Sequence, residues 1–217
     1  MSAFWRKFSN RSRKVDKIKC VRPVVQASYT YDVFDDLIFS SVSINGAPAT
    51  VTHYAYNGST LWATLTASNA ITGLYISGNQ PDQYYAQVSA GSGVSWLLDD
   101  HLNSVRDLMN NSGTVTDAIT YDAYGNIVSQ TQPSQAPAVG WDGYQTYAAI
   151  DMDGAGRRIY DPDMGRWMQQ DPTGLTADSN PYRYVKNDPL NMVDPSGEEG
   201  QNVNAVAQVL KETKGAN

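Results

Sequence analysis

Hydrophobic and polar residues alternate in short runs along most of the chain, and turn-forming pairs separate the runs. Leu37–Ile44 leads into Asn45-Gly46, and Thr50–Tyr56 returns from it. Asn-Gly between two strand-like runs is a strong hairpin signal, because both turn residues must take positive φ. Leu61–Thr66 and Ile71–Ile76 flank a Ser68-Asn69 turn, and Tyr84–Val88 and Val94–Leu98 flank a Ser/Gly turn. Val115, Ile119 and Tyr121 alternate with Thr116, Ala118 and Thr120 ahead of Tyr124-Gly-Asn126. From about Val24 onward this spacing predicts an array of short antiparallel strands. The Pro/Gln/Ala stretch at 130–138 interrupts it and reads as a linker or crossing loop, after which Trp141-Asp-Gly-Tyr144 restarts order. Near the end, Val203, Val206, Val209 and Leu210 fall at helical spacing and predict a short helix over 202–213, marginal by itself.

Composition sharpens this picture. With 14 Tyr and 5 Trp, much of the apolar content is carried by amphipathic rings that suit half-buried strands. At 217 residues the chain is long enough for one domain, which would bury about 70% of its unfolded surface. The net charge of −6 is unevenly spread. Residues 1–23 hold eight Lys/Arg against Asp16 alone, and the rest holds eight basic and 21 acidic residues, a balance of −13. An acidic body argues against nucleic acid as a partner, and the basic leader is expected to be a solvated tail. No apolar run is long enough for a signal-peptide core or a membrane span, so any export would use a non-classical secretion route. Cys20 is the single cysteine, which excludes an intrachain disulfide.

A weak repeat underlies the strand pattern. Tyr31-Asp, Tyr121-Asp and Tyr160-Asp each begin a turn-like segment: the Tyr ring packs on the sheet, and the short Asp side chain tips the chain into a turn. Such a unit buries its apolar face by stacking on its neighbours. Between residues 160 and 197 the pattern tightens, with Asp-Pro pairs at 161, 171, 188 and 194. The order there is Y-D-P-x-x-G-R-W (160–167), D-P-x-G-L (171–175), N-x-Y-x-Y-x-x-N-D-P (180–189) and D-P-x-G (194–197).

This succession resembles the core-associated region of bacterial Rhs/YD-repeat proteins. The segment at 98–107 resembles that family's D-H-L-G-S-V-R element, with Asn103 in place of Gly. The resemblance covers roughly residues 28–197. It implies a mostly β fold: a coiled array of antiparallel hairpins, one part of a YD-repeat shell, closed by a compact core or plug region. The expected organisation is a basic leader at 1–23, hairpins at 24–130, a linker at 131–140, the core region at 141–198 and a short tail at 199–217 with no toxin domain. Family shells wind many more repeats, so further YD-repeat chains or a toxin partner are the expected partners.

The resemblance also implies an intramolecular aspartic protease that cuts just after the last D-P-x-G. That chemistry needs two carboxyls sharing one proton, one acting as base on water and one as acid on the carbonyl. The family roles fall on Asp171 and Asp194, with Arg166 holding a carboxylate or polarising the scissile carbonyl. The cut is expected next to Gly197 or Glu198, where Glu198 replaces the family's hydrophobic residue. The plainer alternative is that the Asp-Pro pairs only initiate turns.

The other candidates read as structural. Asp151-Met-Asp-Gly-Ala-Gly156 has the start of a calcium loop, but Ala155 stands where an oxygen ligand is needed, so a hairpin turn is expected. His53 and His101 lack the partners of a metal site, and no cofactor or metal is expected. Trp62 and Trp96 could line a carbohydrate-binding face, although aromatic residues at strand spacing commonly pack a sheet. The functional readings are therefore a shell segment related to toxin encapsulation and delivery, a self-cleaving protease, an adhesion or carbohydrate-binding module, and a gene remnant without function.

Overall fold

The computed structural model describes residues 23–176 and 178–203. The expected helix over 202–213 and the basic leader lie, apart from their innermost residues, outside these. Ten strands follow one another in an antiparallel meander whose spatial order is the chain order. They are β1 (Val25–Tyr31), β2 (Leu37–Ile44), β3 (Thr50–Asn57), β4 (Thr60–Thr66), β5 (Ile71–Ser77), β6 (Tyr84–Ser89), β7 (Gly93–Asp99), β8 (Val105–Met109), β9 (Val115–Tyr121) and β10 (Ile127–Gln130). A second sheet of four strands holds β11 (Gln145–Tyr147), β12 (Met152–Ala155), β13 (Arg158–Asp161) and β14 (Arg166–Trp167). Two residues each form β15 (Met192–Val193) and β16 (Gln201–Asn202). The fold is mostly β, as the spacing predicts.

The turns share one device. Asp32 Oδ1 accepts the N–H groups of Phe34 and Asp36, and Asp122 Oδ1 accepts those of Tyr124 and Asn126. Asp100 and Asn110 treat the residues two and four further on in the same way. A short polar side chain thus takes the backbone donors that a tight turn strips from the ladder. Register shifts interrupt most strand pairs, as between Ala55 and Tyr56 or Ile76 and Ser77, and such irregularities raise the twist of a sheet.

The large sheet is two-faced. Leu61, Tyr75, Tyr84, Leu97, Val105, Leu108 and Ile119 point to one side and pack together with Val139. Trp62, Ile76, Tyr85 and Trp96 remain exposed. The 130–138 crossing is pinned at its start by Asp117, which is fully buried and accepts Gln130 Nε2 (2.6 Å), Thr131 Oγ1 and the Gln132 N–H. Beyond it a second core gathers Trp141, Tyr144, Ala155, Tyr160, Trp167, Tyr184 and Val185. Its rings meet at offset and edge-on angles, with Trp141 and Tyr160 stacked at 5.0 Å. Such pairs add to the energy of area burial.

Candidate functional site at the Arg158 clamp

The site is built on the β12–β13 hairpin. Gly156 takes φ +51° in its turn, and a Cβ there would lie 2.2 Å from the Ser196 carbonyl oxygen. Gly197, at φ +65°, would bring a Cβ within 2.5 Å of the Ala155 carbonyl oxygen. The Arg157 N–H donates to Ser196 O at 3.1 Å. Two glycines therefore let the hairpin and the 194–199 turn meet backbone to backbone, a contact no larger residue would permit.

That approach places Arg158 between two carboxylates. Its guanidinium is buried over the face of Trp167, 4.4 Å from the ring centre. Nη1 reaches Asp171 Oδ2 at 3.0 Å, and Nη2 reaches Asp194 Oδ2 at 2.9 Å. Nη1 also donates to Pro181 O at 3.3 Å. All three charged groups are buried, with side chains 3%, 7% and 2% exposed. A planar guanidinium suits this task because its donors diverge in one plane.

The two aspartates use their second oxygens on their own turns. Asp171 Oδ1 accepts the N–H and Oγ1–H of Thr173. Asp194 Oδ1 accepts Ser196 Oγ–H and the N–H groups of Glu198 and Glu199, each at 3.1 Å. Burial pushes the Asp194 carboxyl above its ordinary range, while Arg158 and these donors act to lower it. A cavity of about 40 Å³ borders Arg158, Asp171, Asp194 and Glu198, enough for a water molecule.

Asp171 and Asp194 are thus brought to one centre, with the peptides on either side of Glu198 hydrogen-bonded to Asp194. Arg166 is not part of it. It is exposed, stacks over Tyr182 at 4.6 Å and donates from Nε to Trp167 O at 3.4 Å. The carboxylate-holding position is taken by Arg158 instead, because strand alternation points residue 158 inward beside Tyr160. Glu198 turns away from the carboxylates to Arg157, with Oε1 and Nη1 at 2.8 Å. The spacing of Arg158 ahead of Tyr160 carried no chemical signal; its importance emerges only from the packing of the hairpin on the 194–199 turn.

A relay of phenols extends the site toward the large sheet. The Asp194 N–H donates to Tyr144 Oη at 2.9 Å, Tyr144 and Tyr184 hydroxyls meet at 2.9 Å, and Tyr184 donates to Asp142 Oδ2 at 2.6 Å. Asp142 also bonds Ser104, in the turn between β7 and β8, through Oδ1 and its own N–H. Burial holds Asp142 well above the usual carboxylate range, against the Tyr184 and Ser104 hydrogen bonds. The remaining candidates lie elsewhere. Asp151 sits at φ +53° between the paired strands β11 and β12. His53 bonds Asn69 Oδ1, and His101 Nε2 lies 3.1 Å from Leu190 O. Among the described residues no group of three or more His, Cys, Asp or Glu could hold a metal ion.

Residues 88–190 match the Teneurin YD-shell family. That segment, a little under half of the chain, is similar to the shell-forming part of Rhs/YD-repeat proteins. It is 33% identical over 104 residues to salivary gland surface protein 1 of Aedes aegypti, covering 47% of this chain and 3% of that protein. It is 30% identical over 111 residues to toxin subunit YenC2 of Yersinia entomophaga, covering 48% of this chain and 11% of the subunit. The Photorhabdus luminescens Tc holotoxin pore, solved with a mutated TccC3, superposes over 81% of this chain and 9% of that one, with TM-score 0.65 and 18% identity. That likeness is one of fold, and the chain spans a small fraction of each protein it resembles.

Proposed function

We propose that this chain is a segment of wall, with its closing core region, from an Rhs-type shell that encapsulates and helps deliver a toxin. The homology to shell and toxin proteins supports a shell-type role. The observation that carries the reading is the seating of the core region on one face of the ten-stranded sheet, through the Asp194–Tyr144–Tyr184–Asp142–Ser104 relay. Among the described residues the meander ends at β1, with no further strand paired to its outer side, and such an edge is a template for further wall. Co-expressed with a chain of further YD repeats, the protein should co-purify with it at micromolar concentration. Failure to associate would remove the shell-completion reading.

A second reading rests on a separate observation. Asp194 Oδ1 holds the amide N–H groups on both sides of Glu198 while Oδ2 is clamped by Arg158. This is a carboxylate aimed at the peptides where self-cleavage next to Gly197 or Glu198 is expected. Intact mass at neutral pH, beside Asp194→Asn, tests it; neutral pH avoids the acid lability of Asp-Pro bonds. A wild-type chain ending at Gly197 or Glu198, with the variant intact, is the outcome for a live single-turnover site. Two intact masses leave Asp171 and Asp194 as turn-formers.

A further inference from the structure

Val185, Lys186 and Asn187 stand outside the Arg158 clamp and the phenol relay, and their backbone is strained. All three take positive φ, at +35°, +58° and +63°. For a β-branched residue such as Val185 that is an outlier, kept only where its surroundings over-determine it. Here the turn braces itself. The Asn187 and Asp188 N–H groups donate to Tyr184 O and Val185 O, the Met192 N–H donates to Asp188 O, and Asn191 Nδ2 donates to Asp188 Oδ1 at 2.7 Å. The result is a firm platform that runs from Val185 through β15 to Asp194.

One segment of the chain lies across this platform. The Glu198 and Glu199 N–H groups donate to Asp194 Oδ1, each at 3.1 Å. A Cβ built on Gly200 would lie 3.3 Å from Met192 Cε and Val185 Cγ1 and 3.4 Å from Val185 Cα. Gln201 and Asn202 pair antiparallel with Val193 and Met192, and the Val203 N–H donates to Asn191 O at 3.2 Å. Glu198 adds its ion pair with Arg157. Glu199, Gln201 and Asn202 are exposed, so the segment runs along the outside of the molecule.

From this geometry we infer that the 185–194 platform is a binding site for an extended peptide, with residues 198–203 as its resident ligand, exchangeable for a free peptide of the same kind. Recognition is of the strand-addition type, in which main-chain groups supply the grip whatever side chains they carry. Two positions read the sequence. Position 200 favours glycine, because a methyl group there already presses on three atoms of the floor and a longer side chain lifts the segment off it. Position 198 favours an acid, because it faces Arg157. The left-handed run has its use here: it sets Val185 Cα and Cγ1 as the floor under residue 200. The ligand class is therefore an extended peptide with an acidic residue two places ahead of a glycine. The inference goes beyond the shell reading and needs no cleavage.

The test uses the full chain, its intact mass confirmed, and a blocked, fluorescent peptide of residues 198–203. In the wild type the chain's own segment competes at an effective concentration on the order of 1 mM. In Gly200→Leu that segment loses its seat and leaves the platform to the free peptide. With a dissociation constant on the order of 100 µM for the free peptide, fluorescence anisotropy should show binding about tenfold tighter to Gly200→Leu than to the wild type. The same peptide carrying Gly200→Leu should bind neither chain. Should the variant not fold, Gln201→Pro takes its place, at an exposed position of β16 where proline cannot serve the ladder. Equal binding to wild type and variant would overturn the inference. So would no binding to a variant whose circular dichroism matches the wild type. Either result leaves the shell and self-cleavage readings standing.

Discussion

Arg158→Met is expected to destabilise the protein by about 3–5 kcal/mol, because it leaves two buried carboxylates without their counter-ion. For a chain of this size that is a fall in unfolding midpoint on the order of 10 °C, measured by circular dichroism at pH 7. The methionine fills a similar volume against Trp167, so packing loss is a minor part of the effect. The electrostatic cause has its own signature. Combining Arg158→Met with Asp171→Asn and Asp194→Asn removes the stranded charges and should recover much of the loss. A triple variant as unstable as the single one would assign the effect to lost packing over the indole ring instead.

The second large effect is a dependence on pH of unusual sign. Burial raises Asp82 to about 8 and Asp153 and Asp99 to about 7, against 3.8 when unfolded. The Asp194 charge adds to the first and the Asp100 charge to the third. In the window between 3.8 and these values the folded chain binds protons that the unfolded chain has released. Stability therefore falls as pH rises through that window, by up to about 1.4 kcal/mol per unit for Asp82 and for Asp153, and by less for Asp99, which solvent partly screens. The unfolding midpoint should be several degrees higher at pH 5.5 than at pH 8.5, and Asp153→Asn should flatten part of the slope. A midpoint that climbs with pH over this range would contradict the protonated state of these groups.

The large sheet was legible in the sequence because its signals are local. Asn45-Gly46 must turn, and the strand-like runs Leu37–Ile44 and Thr50–Tyr56 flank it, so their pairing follows from neighbours in the chain. The turn role of Asp after Tyr was legible for the same reason, and Asp32 and Asp122 show it in their hydrogen bonds. The site was legible only in part. Asp171 and Asp194 announce themselves through Asp-Pro-x-Gly, but Arg158 stands in unremarkable text. Its importance arises from a contact with Asp194 across 36 residues. Arg166 attracted the carboxylate-holding role because it sits inside the motif, yet strand alternation turns it outward while Trp167 goes in.

The short pairing of β15 with β16 bears on what a severed chain would look like. Residues 201 and 202 lie beyond the expected cut and are hydrogen-bonded to 192 and 193, before it. A break next to Gly197 or Glu198 would therefore produce a nicked complex whose two pieces stay threaded together, the upstream end gripped by Arg158 and the downstream end by a two-residue ladder. Under native conditions such a nick would be silent in size and shape. Liberation of the downstream piece would then be set by peeling apart that ladder and the contacts of Glu198 with Arg157 and of Glu199 with Asp194, a mechanical event separate from the chemistry and open to control by whatever pulls on the tail.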